Sequence, residues 1–298
     1  MISRFFFWPG IAGAVFLVAG LFALQRELRT AAWLDKLIAL GSVFVAASLA
    51  TFGAEHFVAG QFMAGMVPAW LPAHLFWVYL VGTALFAAAL SLVAKKCVRL
   101  SVPLLAAMFF CFVLMIHAPN VIAHPKERLF WTIALRETVF GGASLALAGF
   151  LMAEMRPRLS RALIPLGRFL VGIPLIFFGI VYFLHPEIAP GLPLPKVTPS
   201  WVPLPFVWSI LTGILLVVCG LAILLNKYGQ RAAAGLGLVM TLITLFLYTP
   251  ILAMAAPSSQ VDALNYVADT LLFAGTLLFL ARALSREPAA PSASLPLR

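Results

Sequence analysis

The sequence predicts an all-α fold. It reads as a polytopic transmembrane helical bundle of about nine helices, with two parallel four-helix repeats plus one N-terminal helix. Three observations predict it. The chain is 63% hydrophobic and only 10% charged, whereas a soluble domain carries about 25% charged residues. Apolar runs close to the ~20 residues that cross a bilayer recur along its length. One block, IALGSVFVAASLATFGAEHF at Ile38–Phe57, recurs as IPLGRFLVGIPLIFFGIVYF at Ile164–Phe183.

The apolar segments fall at about 5–25, 36–57, 73–94, 100–117, 129–152, 165–184, 204–225, 232–250 and 264–283. The first has one early arginine, a long apolar run and no small-residue cleavage pattern before Gln25-Arg26, so it is expected to be an uncleaved helix. Segments two to five and six to nine form the repeats. At an offset of 126, Gly41/Gly167, Val45/Val171, Leu49/Leu175, Gly53/Gly179 and Phe57/Phe183 coincide. After a short insertion, VPAWLP (Val67–Pro72) is matched by TPSWVP (Thr198–Pro203), Trp77 by Trp208, Gly82 by Gly213, and HAP (His117–Pro119) by YTP (Tyr248–Pro250). Glu137 falls opposite Asp269. Apolar bias alone does not align glycine, proline, tryptophan and acid positions in order, so the pattern reads as an internal duplication. The division expected is 1–34 for the first helix and its loop, 35–153 for the first repeat, 154–163 for a basic linker, 164–284 for the second repeat and 285–298 for a disordered, proline-rich tail.

Lysine and arginine placement gives orientation. Alternate connections, beginning after the first helix, carry fifteen of the twenty basic residues and the other side carries five. The positive-inside rule then puts the N-terminus outside and the C-terminus in the cytoplasm of an inner membrane. The same distribution accounts for the formal charge of +10 and argues against nucleic acid as a partner. The lipid bilayer is the expected partner. The three cysteines, Cys97, Cys111 and Cys219, have no metal spacing, and the latter two read as small core residues.

All five histidines fall on the predicted outer side: His56, His74, His117, His124 and His185. Interfacial positions suit a ring with a polar tip, but Glu55 beside His56, near the hydrocarbon boundary, points to a site. Arg136-Glu137 is the sharpest feature. It lies seven residues into the fifth segment, ~10 Å below its outer end at 1.5 Å per residue. Ionisable groups at that depth cost a few kcal/mol unless paired or hydrated. Neighbours in a helix point about 100° apart, so these two need not pair with each other. Asp262, Asn265 and Asp269 form a polar stripe at i, i+3, i+7 on the last segment. Glu55, His56, His117, Arg136, Glu137, His185 and Asp269 are therefore the candidate polar site, read either as a ligand or proton site or as interhelical clamps. Nucleotide-binding, dinucleotide, nucleophile-elbow, haem-attachment and zinc-protease motifs are absent, which excludes a nucleotide-driven pump within this chain. Bis-histidine haem ligation is the weaker cofactor reading. No metal site is expected.

FGAEHF, VPAWLP, HLFWVYLVGTALFAAALSLVAKK, a helix ending HAP and a helix with an acid followed by small residues (ETVFGGASLALAG) resemble the DoxX-like membrane proteins. GIVYFLHP, PSWVP and VADTLLFAGTLLFL look like a divergent second copy. The family is typically a single four-helix unit. Some members are linked to sulfur oxidation with electrons passing to quinone, others to redox homeostasis. Glu55, His56, Pro68, Pro72 and Glu137 match family positions. The resemblance implies a redox-associated subunit that binds quinone or a lipid-like molecule at an outward-facing polar cluster, with a membrane or periplasmic redox partner. This chain departs from the family by its duplication, its extra helix and its lack of a vicinal cysteine pair. A non-catalytic scaffold is the alternative, and a small-solute or lipid transporter the third reading.

Overall fold

A computed structural model describes residues 4–285. Beyond Ser285 the expected disordered tail lies outside the described residues. Among these residues nine helical spans are long and apolar enough to cross a membrane, and no named strand occurs. The protein is a multi-pass helical bundle. Its helices are α1 Arg4–Thr30, α2 Trp33–Val58, α3 Gly60–Ala64, α4 His74–Ala94, α5 Val98–Phe112, α6 Ala118–Ala123, α7 Arg128–Leu151, α8 Pro157–Leu184, α9 Pro205–Leu224, α10 Gly229–Ile243, α11 Thr249–Ala253 and α12 Gln260–Leu284. All nine sequence segments are found, with shifted ends. The expected linker 154–163 is mostly helical, because Pro157 starts α8 at a position where its missing N–H costs nothing.

Four helices, α2, α7, α8 and α12, make the centre, and small residues let their backbones meet. A Cβ on Gly41 would lie 3.1 Å from the Gly275 carbonyl oxygen, and one on Gly167 only 2.3 Å from that of Gly142. The first contact joins α2 to α12 and the second joins α8 to α7. Each unit's first helix thus packs on the other unit's last helix, as a twofold relation between the units requires. Phe140 of α7 meets Phe273 of α12 with ring centroids 6.4 Å apart. Without water between apolar helices, such close packing is the main source of cohesion. α4 packs on α2 at Gly53/Gly82, and α9 on α8 at Gly179/Gly213. α1 lies outside, its Gly13 and Gly20 resting on Thr51 and Val43 of α2. A Glu27–Lys95 ion pair ties its end to the α4–α5 turn.

The two units share their irregularities as well as their helices. Non-glycine residues with positive φ, uncommon in general, occur in matched pairs: Ala73 and Leu204 (54° and 51°), Lys95 and Asn226 (54° and 51°), Cys97 and Tyr228 (57° and 61°). Trp77 Nε1 donates to the Pro72 carbonyl at 2.9 Å, and Trp208 Nε1 to that of Pro203 at 3.0 Å. A π-helical turn spans Val113–His117 in one unit and Thr244–Tyr248 in the other. Pro119 and Pro250 follow each turn and have no N–H for the carbonyls of Met115 and Phe246, so the ladder is interrupted at the same place.

In the last helices the glycine contacts and the facing phenylalanines set the offset at 133, as in Gly142/Gly275 and Phe140/Phe273. Arg136, not Glu137, is therefore the counterpart of Asp269. The sequence pairing was one residue out because the α6–α7 and α11–α12 connections differ in length.

The α8–α9 connection differs from its counterpart in the first unit. It carries five more residues than the α2–α4 connection, and it folds inward. Ile188, Ala189, Leu192 and Leu194 are buried within the second unit. The α2–α4 connection instead ends in the short helix α3 and a turn around Trp70, which is 70% exposed.

Candidate functional site

A cavity of about 1020 Å³ occupies the first unit. Its walls come from α2, α4, α5 and α7, with α12 of the second unit closing the back. On α4 it runs from Trp77 to Ser91, which is ~21 Å of helix. Leu80, Leu100 and Leu104 line it and are themselves well exposed, so the cavity opens sideways between α4 and α5, where lipid tails would lie.

Apolar side chains form nearly all of this groove; Ser91 and Ser101 pair at the α4–α5 turn, and the acids, the arginine and the histidines gather at the opposite end, where α2 meets α3. Arg136 is the only lysine or arginine among the described lining residues. Its Nη1 donates to Asp269 Oδ2 at 2.7 Å and its Nη2 to Glu137 Oε1 at 2.9 Å, while the guanidinium lies 5.9 Å from the Phe140 ring centroid. The two acids sit on different helices, so the arginine joins α7 to α12. Helix geometry left open whether these neighbours pair; the long guanidinium folds back to Glu137 and spans the gap.

Glu55 is 6% exposed, and its Oε1 has no hydrogen-bond partner in the protein; buried Asn265 Oδ1 has none either. Buried polar atoms nearly always find partners, so each orphan needs a reason. His56 Nδ1 lies 2.8 Å from the Phe52 carbonyl oxygen. A carbonyl only accepts, so Nδ1 carries the hydrogen, and in the neutral ring Nε2 remains an acceptor. His117 ends the π-helical turn and completes this end of the cavity.

Six of the seven candidate residues, Glu55, His56, His117, Arg136, Glu137 and Asp269, thus line one cavity. His185 does not. It ends α8 in the other unit, half exposed, with Nδ1 3.3 Å from Glu187 Oε1. The stripe on α12 divides: Asn265 and Asp269 face the cavity, whereas Asp262 lines a separate cleft with Lys196 and Tyr266. His124 pairs with Glu127 at 3.2 Å and stacks on Phe130. Cys111 is not a core residue as expected. With Cys97 it is exposed along the groove, and only Cys219 is buried. Sequence reasoning missed the groove itself, because apolar residues of α4 and α5 that face a gap look the same in sequence as those that face lipid. No three His, Cys, Asp or Glu side chains among the described residues group as a metal site.

Residues 45–136 are similar to a family model described as a domain of unknown function, DUF8561. The matched stretch runs from the middle of α2 to Arg136, and so contains Glu55, His56, His117 and both walls of the lateral opening. In comparisons with curated proteins and with solved structures, nothing matches the chain.

Proposed function

We propose that the protein binds a membrane hydroquinone, its polyprenyl tail in the groove between α4 and α5 and its hydroxyl-bearing head among Glu55, His56 and Asn265. The observation that carries this reading is a lipid-facing groove ending at a buried carboxylate oxygen without a partner. Glu55 Oε1 and Asn265 Oδ1 are acceptors without donors and call for a ligand that brings hydroxyl hydrogens, while the buried, unpaired Nε of Arg136 leaves one hydrogen to offer in return. A phosphate head is a poor match. Three acids, Glu55, Glu137 and Asp269, stand beside one arginine that is already committed to two of them. The resemblance to DoxX-like proteins supports a redox-associated role, in which a partner subunit exchanges electrons with the bound head. By the positive-inside rule the head faces the outer side of an inner membrane, and the partner would approach from there.

The test uses purified protein in lipid nanodiscs titrated with decylubiquinol. Saturable binding is expected, and Ala84→Trp, which fills the lateral opening, should abolish it. Equal displacement of the probe by a diacylglycerol would leave a general lipid site and sink the quinol reading. The scaffold is the second reading, and one observation favours it for part of the cluster: the Arg136–Asp269 bridge fastens the two units together whatever the cavity holds.

A further inference from the structure

The second unit holds a segment of its own chain where the first holds its cavity. We infer that His56 and His117 each hold one oxygen of the bound head, and that the α8–α9 connection occupies the corresponding place as a built-in imitation of that ligand. The inference rests on the ligand site proposed above and names the atoms that grip the head.

The correspondence is set by contacts. A Cβ on Gly82 would meet His56 Cβ at 2.8 Å and the Phe57 ring at 3.1 Å; one on Gly213 would meet Tyr182 Cβ at 3.0 Å and the Phe183 ring at 2.9 Å. His56 therefore stands where Tyr182 stands. His117 and Tyr248 are the last residues of the two π-helical turns, each followed two residues later by proline. In the second unit both positions grip the inserted chain. Tyr182 Oη donates to the Ala189 carbonyl at 2.8 Å, and Tyr248 Oη to the Pro190 carbonyl at 2.9 Å. Ser209 Oγ adds a bond to the Ile188 carbonyl at 2.6 Å. Gly191, at φ 121°, lets the chain turn under the Tyr248 ring, where a side chain would be strained. Two neighbouring oxygens thus sit between these two positions.

At the position of Tyr182 the polarity is reversed between the units. Tyrosine hydroxyls give hydrogens to carbonyls. His56, whose Nδ1 hydrogen goes to Phe52, offers an accepting Nε2. Where the inserted chain presents the Ala189 carbonyl, the ligand of the first unit presents a hydroxyl. The acid positions change in the same sense: Glu55 corresponds to buried Val181, so the filled unit has no spare acceptor there.

The test compares two probes in nanodiscs, decylubiquinol with two ring hydroxyls and geranylgeraniol with one. His56→Phe and His117→Phe should each weaken decylubiquinol binding at least tenfold. Geranylgeraniol should respond to only one of them. His56→Gln keeps an accepting oxygen and should restore most of the loss. His56→Tyr imitates the second unit and should shift preference towards the oxidised probe, decylubiquinone. If both phenylalanine variants bind decylubiquinol like wild type while Ala84→Trp does not, the two-histidine grip is wrong and the groove stands. If Ala84→Trp also binds like wild type, the groove reading falls too.

Discussion

Replacing Arg136 by methionine tests whether the buried cluster is a charge-balanced clamp. The side chain is 16% exposed and bridges acids that are 10% and 11% exposed. Removing it leaves those acids and Glu55 without their cation. Breaking a buried pair from one side costs about 3–5 kcal/mol. Asp269→Asn is milder, since the arginine keeps Glu137 and the amide oxygen still accepts; losing one charge-assisted bond costs about 1.5–3 kcal/mol. At ~2–4 °C per kcal/mol for chains of this order, Arg136→Met should lower the melting temperature in detergent by roughly 6–20 °C and Asp269→Asn by roughly 3–12 °C. The triple variant Arg136→Met, Glu137→Gln, Asp269→Asn removes every member of the pair network and should regain more than half of the Arg136→Met loss. Equal losses for the two single variants, or a triple variant no better than Arg136→Met, would refute the clamp. Glu137→Gln belongs to the same network, so its effect should fall on stability more than on probe binding.

Gly82→Ala should cost about 1–3 kcal/mol, because its new methyl would overlap His56 and push α4 from α2. Gly235→Ala, with nothing within 4 Å of the new methyl, should be neutral or gain up to about 1 kcal/mol from helix propensity; paired thermal melts check both. Tyr248→Phe strips the hydrogen bond from the buried Pro190 carbonyl and should cost about 1–3 kcal/mol. Its local signature is faster amide exchange across residues 188–196 by mass spectrometry. Glu55→Gln should lower decylubiquinol affinity with little change in melting temperature, since no protein partner is lost. A parallel loss of stability would make Glu55 a packing residue.

The nine spans and their pairing into repeats were legible because glycine, proline and tryptophan keep their places for backbone reasons. Gly41 and Gly167 must be small where helices touch, and Pro72 and Pro203 supply the carbonyls that Trp77 and Trp208 cap. The polar cluster was legible because a charge such as Arg136 within an apolar helix needs a partner. Its internal pairing was not. Which acid meets Arg136 depends on side-chain reach and on a register that differs by one residue from the aligned sequence. His185 misled because its position at a helix end matches those of His56 and His117, while the sequence does not tell that the cavity lies in the first unit alone. The inward fold of residues 188–194 does not show in the sequence, because a proline-rich segment looks the same whether it lies on a bundle or enters it.

The asymmetry of the two units is the strongest argument that the cavity is for something. Both share the same helix crossings, left-handed turns and π-helical breaks, so both have space at the same place. In one unit five extra residues let the chain fill that space and satisfy Tyr182, Tyr248 and Ser209. In the other the space stays open to the lipid side, and its head carries Glu55, His56 and His117 where the filled unit has Val181, Tyr182 and Tyr248. A scaffold would gain packing by filling both. Keeping one open, with a buried carboxylate oxygen lacking a partner, sacrifices stability, and a bound molecule that supplies the missing hydrogen and the missing contacts is what would offset it.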